Sequence, residues 1–243
     1  MWSIADCYGT DKDIQVFSGY YDINNKDISN NLIENFENND KKVFVYIAKI
    51  KDAILYSQIN LKNKFQLNNN DSKVTRQRCA GYGLLHFALQ DRWGIDEDFS
   101  NITISPNGKP YSDKYKFSIS HSGDLVCVAI SEEEVGIDIE RITLNRQWER
   151  LSRRILTLEE QDMCKDDKTM TVLWTKKEAV FKLQGEKIFN PSKIDISEYC
   201  VDSLDDIFCD KDSYVLSIAT HKKSSNYLFC KKMLHVQDCW KFV

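Results

Sequence analysis

Residues 115–142 read YKFSISHSGDLVCVAISEEEVGIDIERI, and they hold three strand-like runs in close succession. The first two flank Gly123 and read as a hairpin with that glycine in its turn. The third, Val135 to Ile142, alternates Ile137 and Ile139 against Asp138 and Glu140. A chain that commits this much consecutive sequence to strands must build a sheet. The third strand then raises a problem. Residues two apart on a strand share a face and stand about 7 Å from one another. Asp138 and Glu140 are therefore neighbouring like charges, an arrangement that weakens a sheet unless something compensates it.

The remaining chain supplies helices as well as strands. KVFVYIAKI reads as a strand, and residues 73–94 read as a helix stopped near Gly94. NITISPNGKPYS reads as a strand and then a turn around Asn107, Gly108 and Pro110. In TLEEQ, Thr157 and Glu160 have capping-box spacing. A longer helix is expected over 170–184, ending at Gly185, and SYVLSIAT and YLFCKKMLHV read as short strands. Residues 24–42 and LNNNDSK are polar loops rich in asparagine, with room for short helices. The pattern is mixed α/β (α+β). It is compatible with two halves, each with one prominent helix and several strands.

At 243 residues the chain is one large domain or two small ones. A net charge of −4 weighs against a general nucleic-acid binder. MWSIADCYGT lacks the basic and apolar regions of a secretory signal, and runs such as LVCVAI are too short to span a bilayer. Eight cysteines, with no CxxC pair, read as free thiols of a reducing cytoplasm.

In LWTKKEAVFKLQG, Trp174, Glu178 and Lys182 are spaced four apart and share a helix face. A simple account makes Trp174 core and Glu178–Lys182 a surface pair. In the other account Glu178 joins Asp138 and Glu140 as a third carboxylate. Such an oxygen set suits a hard cation such as Mg²⁺, with Lys182 placed to meet a phosphate or a leaving group. In FSISHSGD, alternation separates Phe117, Ile119 and His121 from Ser118, Ser120 and Ser122. His121 is either a packed residue or, with the serines, a phosphate contact. No GxSxG elbow accompanies it, so a Ser-His-Asp hydrolase is a poor fit. Lys109 in its Gly-Pro turn, Arg76 and Arg78 at a helix start, and more weakly Lys62 and Lys64, are either solvated cations or anion contacts.

Taken together, NGKP, FSISHS, GIDIE and WTKKEAVFK occur in the order and approximate spacing of the 4′-phosphopantetheinyl transferases. The length resembles the Sfp type, a monomer of two similar halves related by pseudo-twofold symmetry. The resemblance places an N-terminal half at 1–130, carrying adenosine and 3′-phosphate contacts of coenzyme A. It places a C-terminal half at 131–243, carrying the metal and catalytic motifs. It implies Asp138, Glu140 and Glu178 as Mg²⁺ ligands and Lys182 as the lysine that assists departure of the adenosine bisphosphate. Lys177 matches the basic residue beside the third ligand. Lys109, Pro110, Ser120 and His121 match coenzyme A contacts, and Arg76, with Arg78 as the alternative register, matches a 3′-phosphate contact. Glu160 falls where the family has a glutamate proposed as general base, although its capping-box spacing explains a glutamate equally well; a water held by the metal is the other candidate. Asn107, where the family often has an aromatic, and QGEKIFN after the last helix depart from the pattern.

The implied reaction moves the phosphopantetheine arm of coenzyme A to a serine of an apo acyl or peptidyl carrier protein. This is the holo-[acyl-carrier-protein] synthase type of activity, with no nucleic-acid or membrane partner. The docking surface for such acidic carriers should be locally basic or apolar. The same carboxylate–lysine set also suits a metal-dependent nuclease or phosphoesterase, and a degenerate carrier-binding module is the non-enzymatic alternative.

Overall fold

The computed structural model describes residues 14–17, 41–61, 67, 71–99, 102–105, 108–143, 148–222 and 227–234. Most of the 24–42 loop, Lys62, Lys64 and Asn107 lie outside the described residues. The strands are β1 (Ile14–Phe17), β2 (Lys41–Lys49), β3 (Thr103–Ile104), β4 (Pro110–Tyr111), β5 (Lys116–Ser122), β6 (Leu125–Ser131), β7 (Val135–Arg141), β8 (Tyr199–Cys209), β9 (Asp212–His221) and β10 (Tyr227–Leu234). The helices are α1 (Ile50–Asn60), α2 (Lys73–Trp93), α3 (Trp148–Ile155), α4 (Leu158–Met163) and α5 (Asp167–Gln184).

Among these strands, β1-β10-β2-β6-β5 form one mixed sheet, β7-β9-β8 form an antiparallel sheet, and β3 pairs with β4. Side-chain parity fixes how the layers stack. On β2 and β6, Phe44, Tyr46, Val126, Val128 and Ile130 pack with α1 and α2. The alternate residues Val43, Val45, Ile47, Leu125, Cys127 and Ala129 pack with Ile137, Ile139, Leu216 and Ile218 of the second sheet. The opposite face of that sheet meets α5 through Ala179, Val180, Leu183 and Ala219. The order is helices, sheet, sheet, helix. This explains why all seven residues of β6 are buried: neither of its faces reaches water.

Both long helices stop where a glycine takes a left-handed conformation, Gly94 and Gly185 each at φ 66°. α2 starts on Ser72, whose Oγ accepts from the Thr75 N–H at 3.1 Å. α5 starts three residues earlier than expected, because Asp166 Oδ1 accepts from the Thr169 N–H at 2.7 Å. α1 and α3 are absent from the sequence reading; α1 follows β2 directly, and Lys49 at its start makes no side-chain cap.

β10 crosses the expected 130/131 boundary, since it lies between β1 and β2, parallel to both. Cys79, Cys127, Cys164, Cys200 and Cys209 are free thiols. Among the described residues no helix is long and apolar enough to cross a membrane.

Candidate active site

β7 answers the problem of its two carboxylates by using both faces. Ile137 and Ile139 enter the core between the sheets. Asp138 and Glu140 leave from the other face, where β5 and α5 meet them. Gly136 permits the close approach of α5: a Cβ at this position would lie 1.9 Å from the Ala179 carbonyl oxygen and 2.7 Å from the Leu183 nitrogen. Only a residue without a side chain fits against this helix backbone.

β5 reaches β7 through its serines. Ser118 Oγ accepts from the Ile137 N–H at 3.2 Å, and Ser122 Oγ accepts from the Arg141 N–H at 3.1 Å. Ser120 Oγ donates to Asp138 Oδ1 at 2.7 Å, and Ser122 Oγ donates to Glu140 Oε2 at 2.8 Å. Three hydroxyls at strand period thus stitch the edge of one sheet to the edge of the other, and two of them orient the carboxylates.

Lys182 completes the cluster. Its Nζ donates to Asp138 Oδ1 at 2.7 Å and to Ser120 Oγ at 2.8 Å. Burial pulls its pKa down, but Asp138 and then Glu178 outweigh burial and hold the ammonium above its ordinary range. Glu178, one helical turn earlier, is pushed up to about 7, first by burial and then by the Asp138 and Glu140 charges, with Lys182 opposing. The site therefore carries more negative charge than Lys182 neutralises.

A second cation has an acceptor here: Asp138 Oδ2 is buried and has no hydrogen-bond partner. With Glu140 and Glu178 it supplies the hard oxygen donors that Mg²⁺ prefers. Among the described residues no three His, Cys, Asp or Glu side chains are drawn together as a closed metal-ligand set. Lys182 occupies Asp138 Oδ1, and the two glutamates stand outside that contact. The donor chemistry fits a dication.

Lys109 lies against the end of α5, where its Nζ donates to the Lys182 carbonyl oxygen at 2.6 Å. Burial holds its pKa below the usual lysine range, with Glu134 opposing and Lys182 reinforcing the shift. Lys109 and Pro110 line a cleft of about 240 Å³ with Phe117, Ser118, Phe181 and Lys182. His121 lies on the opposite side of β5 from the serines, at the surface. Partial desolvation and then Lys182 lower its pKa, which favours the neutral imidazole. The serines and His121 thus do not present one common surface. Arg76 and Arg78 are exposed on the first turns of α2. The Arg78 guanidinium sits 5.9 Å from the Tyr82 ring centroid.

Two further expected site residues contact each other. Lys177 has no exposed side-chain surface; its Nζ donates at 2.9 Å to each of the Pro191 and Ile194 carbonyl oxygens and pairs at 2.9 Å with Glu160 Oε1. One helix position turns a side chain by about 100°, so Lys177 and its neighbour Glu178 face different ways. Glu160 Oε2 accepts from the Thr157 N–H at 2.8 Å, completing the capping box. The Lys177 ammonium thus has three protein acceptors, and each Glu160 oxygen has a protein partner.

Residues 134–229, which include β7 and α5, match the model of the 4′-phosphopantetheinyl transferase superfamily. Over these residues, about two fifths of its length, the chain is similar to this superfamily. The 4′-phosphopantetheinyl transferase AcpT of Salmonella typhi is 29% identical over 123 residues, covering 44% of this chain and 64% of that protein. AcpT of Escherichia coli K12 is 29% identical over 149 residues, covering 54% and 75% respectively. The 4′-phosphopantetheinyl transferase psf-1 of Bacillus pumilus is 25% identical over 158 residues, covering 61% and 65%. This chain thus spans just under two thirds of the Salmonella and Bacillus relatives. The mixed α/β architecture agrees with the superfamily's fold.

The sequence pointed to Asp138, Ser120 and Lys182, which meet in the structure. It missed Gly136 and Phe181, and it read Ser122 as a phosphate contact rather than as a partner of Glu140. The signal for Ser122 was present, since its serine repeat has the same two-residue period as the carboxylates.

Proposed function

We propose that this chain transfers the 4′-phosphopantetheine arm of coenzyme A to a serine hydroxyl of an apo carrier protein and releases adenosine 3′,5′-bisphosphate. The observation that carries the proposal is the Asp138–Ser120–Lys182 contact beside Glu178, built by β5, β7 and α5 in a chain similar to this superfamily. The transferase names of the relatives favour this reading over a nuclease.

Asp138, Glu140 and Glu178 would hold Mg²⁺, which supplies charge stabilisation to the pyrophosphate when bound. Lys182 is held as an ammonium and stands ready to meet the leaving phosphate. Ser120 and Ser122 fix two carboxylates, so that little reorganisation is needed as charge develops. Lys109 and Pro110 wall the cleft on the coenzyme A side. His121, Arg76 and Arg78 are the remaining candidates for phosphate contacts from the α2 side. We place the protein in the cytoplasm, as an Sfp-type monomer serving acyl or peptidyl carriers.

Intact-protein mass spectrometry of several apo carriers incubated with the chain, Mg²⁺ and coenzyme A tests this. A carrier heavier by one phosphopantetheine arm is expected. If every carrier keeps its apo mass in the presence of folded protein, the proposal fails.

A further inference from the structure

Helix α4 has six residues and none of them is buried; Leu158 and Met163 are 82% and 58% exposed. So short a helix has little stability of its own in water. Its tie to α5 runs through Glu160, the residue that the transferase reading first casts as a base. We propose that Glu160 and Lys177 are a positioning pair that locks α4 and the Pro191–Ile194 segment onto α5, and that Glu160 does not receive the acceptor's proton.

Every polar atom of the pair is accounted for. An ammonium has three donors. Those of Lys177 meet three acceptors, the Pro191 and Ile194 carbonyls and Glu160 Oε1, each at 2.9 Å. The Lys177 side chain is 0% exposed and that of Glu160 13%. The other Glu160 oxygen holds the Thr157 N–H. A free lone pair on Glu160 could take a proton from an incoming hydroxyl, but the neutral acid would no longer balance a buried cation that has no other countercharge in contact among the described residues. Breaking such a pair from one side is strongly unfavourable. Lys177 directly precedes Glu178, so an anchored Lys177 also fixes the rotation of α5 that aims Glu178 and Lys182 at β7.

The kinetic part of this inference rests on the transferase reading; the structural part does not. Thermal unfolding of full-length Glu160→Gln, Lys177→Met and the double variant needs no substrate. Glu160→Gln leaves the buried Lys177 without its charge partner, and Lys177→Met leaves the largely enclosed Glu160 carboxylate with only its cap, so a Tm loss of about 10 °C is expected from each. The double variant should lose clearly less than the sum. Additive losses, or unmoved Tm values, overturn the pairing. If a single variant does not fold, amine acetylation of the native chain followed by peptide mass spectrometry decides instead. Lys177 should stay unmodified, with or without coenzyme A, where exposed Lys187 reacts; equal labelling overturns the pairing.

For rates, kcat/KM for transfer to an apo carrier is followed against pH, well below each Tm. Glu160→Gln should be roughly 10–100-fold slower with its acid limb at the native pH, as expected of a group acting through others. The double variant should be no slower than Glu160→Gln. A vanished acid limb with Tm unchanged makes Glu160 the base and overturns the inference. If the native chain transfers nothing, the function proposal fails while unfolding and labelling still judge the pair.

Discussion

Asp138 is the residue on which the site turns. One of its oxygens holds Ser120 and Lys182, and the other is buried without a partner. Asp138→Asn keeps the shape but removes the charge that balances Lys182. Transfer measured by mass spectrometry should fall by roughly 10²–10³-fold or more, a loss typical of removing a preorganised electrostatic group. A rate within a few-fold of native would displace Asp138 from the mechanism. Glu178 gives a prediction of a different kind. Burial and its neighbouring charges push its carboxyl up to about 7 in the folded chain, from an ordinary value of 4.5. The folded state therefore holds its proton more tightly than the unfolded state, and metal-free stability falls as pH rises from about 4.5 to 7. The shift corresponds to roughly 3 kcal/mol. In EDTA, Glu178→Gln should remove this loss, so that the variant gains on the native chain between pH 5 and pH 8. Denaturant unfolding at the two pH values measures it. Parallel behaviour of the two proteins would mean that Glu178 does not feel the Asp138 and Glu140 charges.

Between β7 and α5, one glycine and three serines decide whether the motifs meet. Gly136→Ala places a methyl group into the backbone of α5. Overpacking of this kind costs about 1–3 kcal/mol, or about 2–12 °C in Tm for a chain of this size. The helix must shift to relieve it, so Glu178 and Lys182 move off β7 and the rate falls further than stability alone explains. A Gly136→Ala protein with native kinetics would show that this approach is not required. The case also shows what was legible beforehand. Strand-like runs about the Gly123 turn located β5 and β6, period-two alternation located β7, and terminal glycines marked the ends of α2 and α5, because these signals are local. The spacing of Glu178 and Lys182 likewise put both on one helix face. Other features were not local. Lys177 directly precedes Glu178 in sequence, yet the helical rotation sends it into a buried pair. Ser118, Ser120 and Ser122 looked like a surface for phosphates, yet they fasten one sheet edge to another. Their roles depend on which element packs against them, and no window of sequence contains that partner.

Across the whole molecule, the two expected halves share elements. β10 comes from the C-terminal end of the chain but lies between β1 and β2. β5 belongs to the first sheet but is hydrogen-bonded through Ser118, Ser120 and Ser122 to β7 of the second. The inner faces of both sheets share one apolar layer, from Val43 and Leu125 to Ile137 and Ile218. Cutting at 130/131 would expose that layer on each piece, leave β2 without its parallel neighbour and strand Asp138 without Ser120. Unpaired strand edges and bared apolar faces favour aggregation over independent folding. The intact chain should unfold in one cooperative transition with coincident probes. Fragments 1–130 and 131–243, produced separately, should lack dispersed amide spectra and cooperative melting. Mixing them should recover structure in both together, if they remain soluble. A fragment 1–130 that melts cooperatively by itself would show that β10 and the serine seam are attachments to a finished domain. The site would then sit at a joint between two stable bodies, and the closeness of Lys182 to Asp138 would depend on how that joint is held.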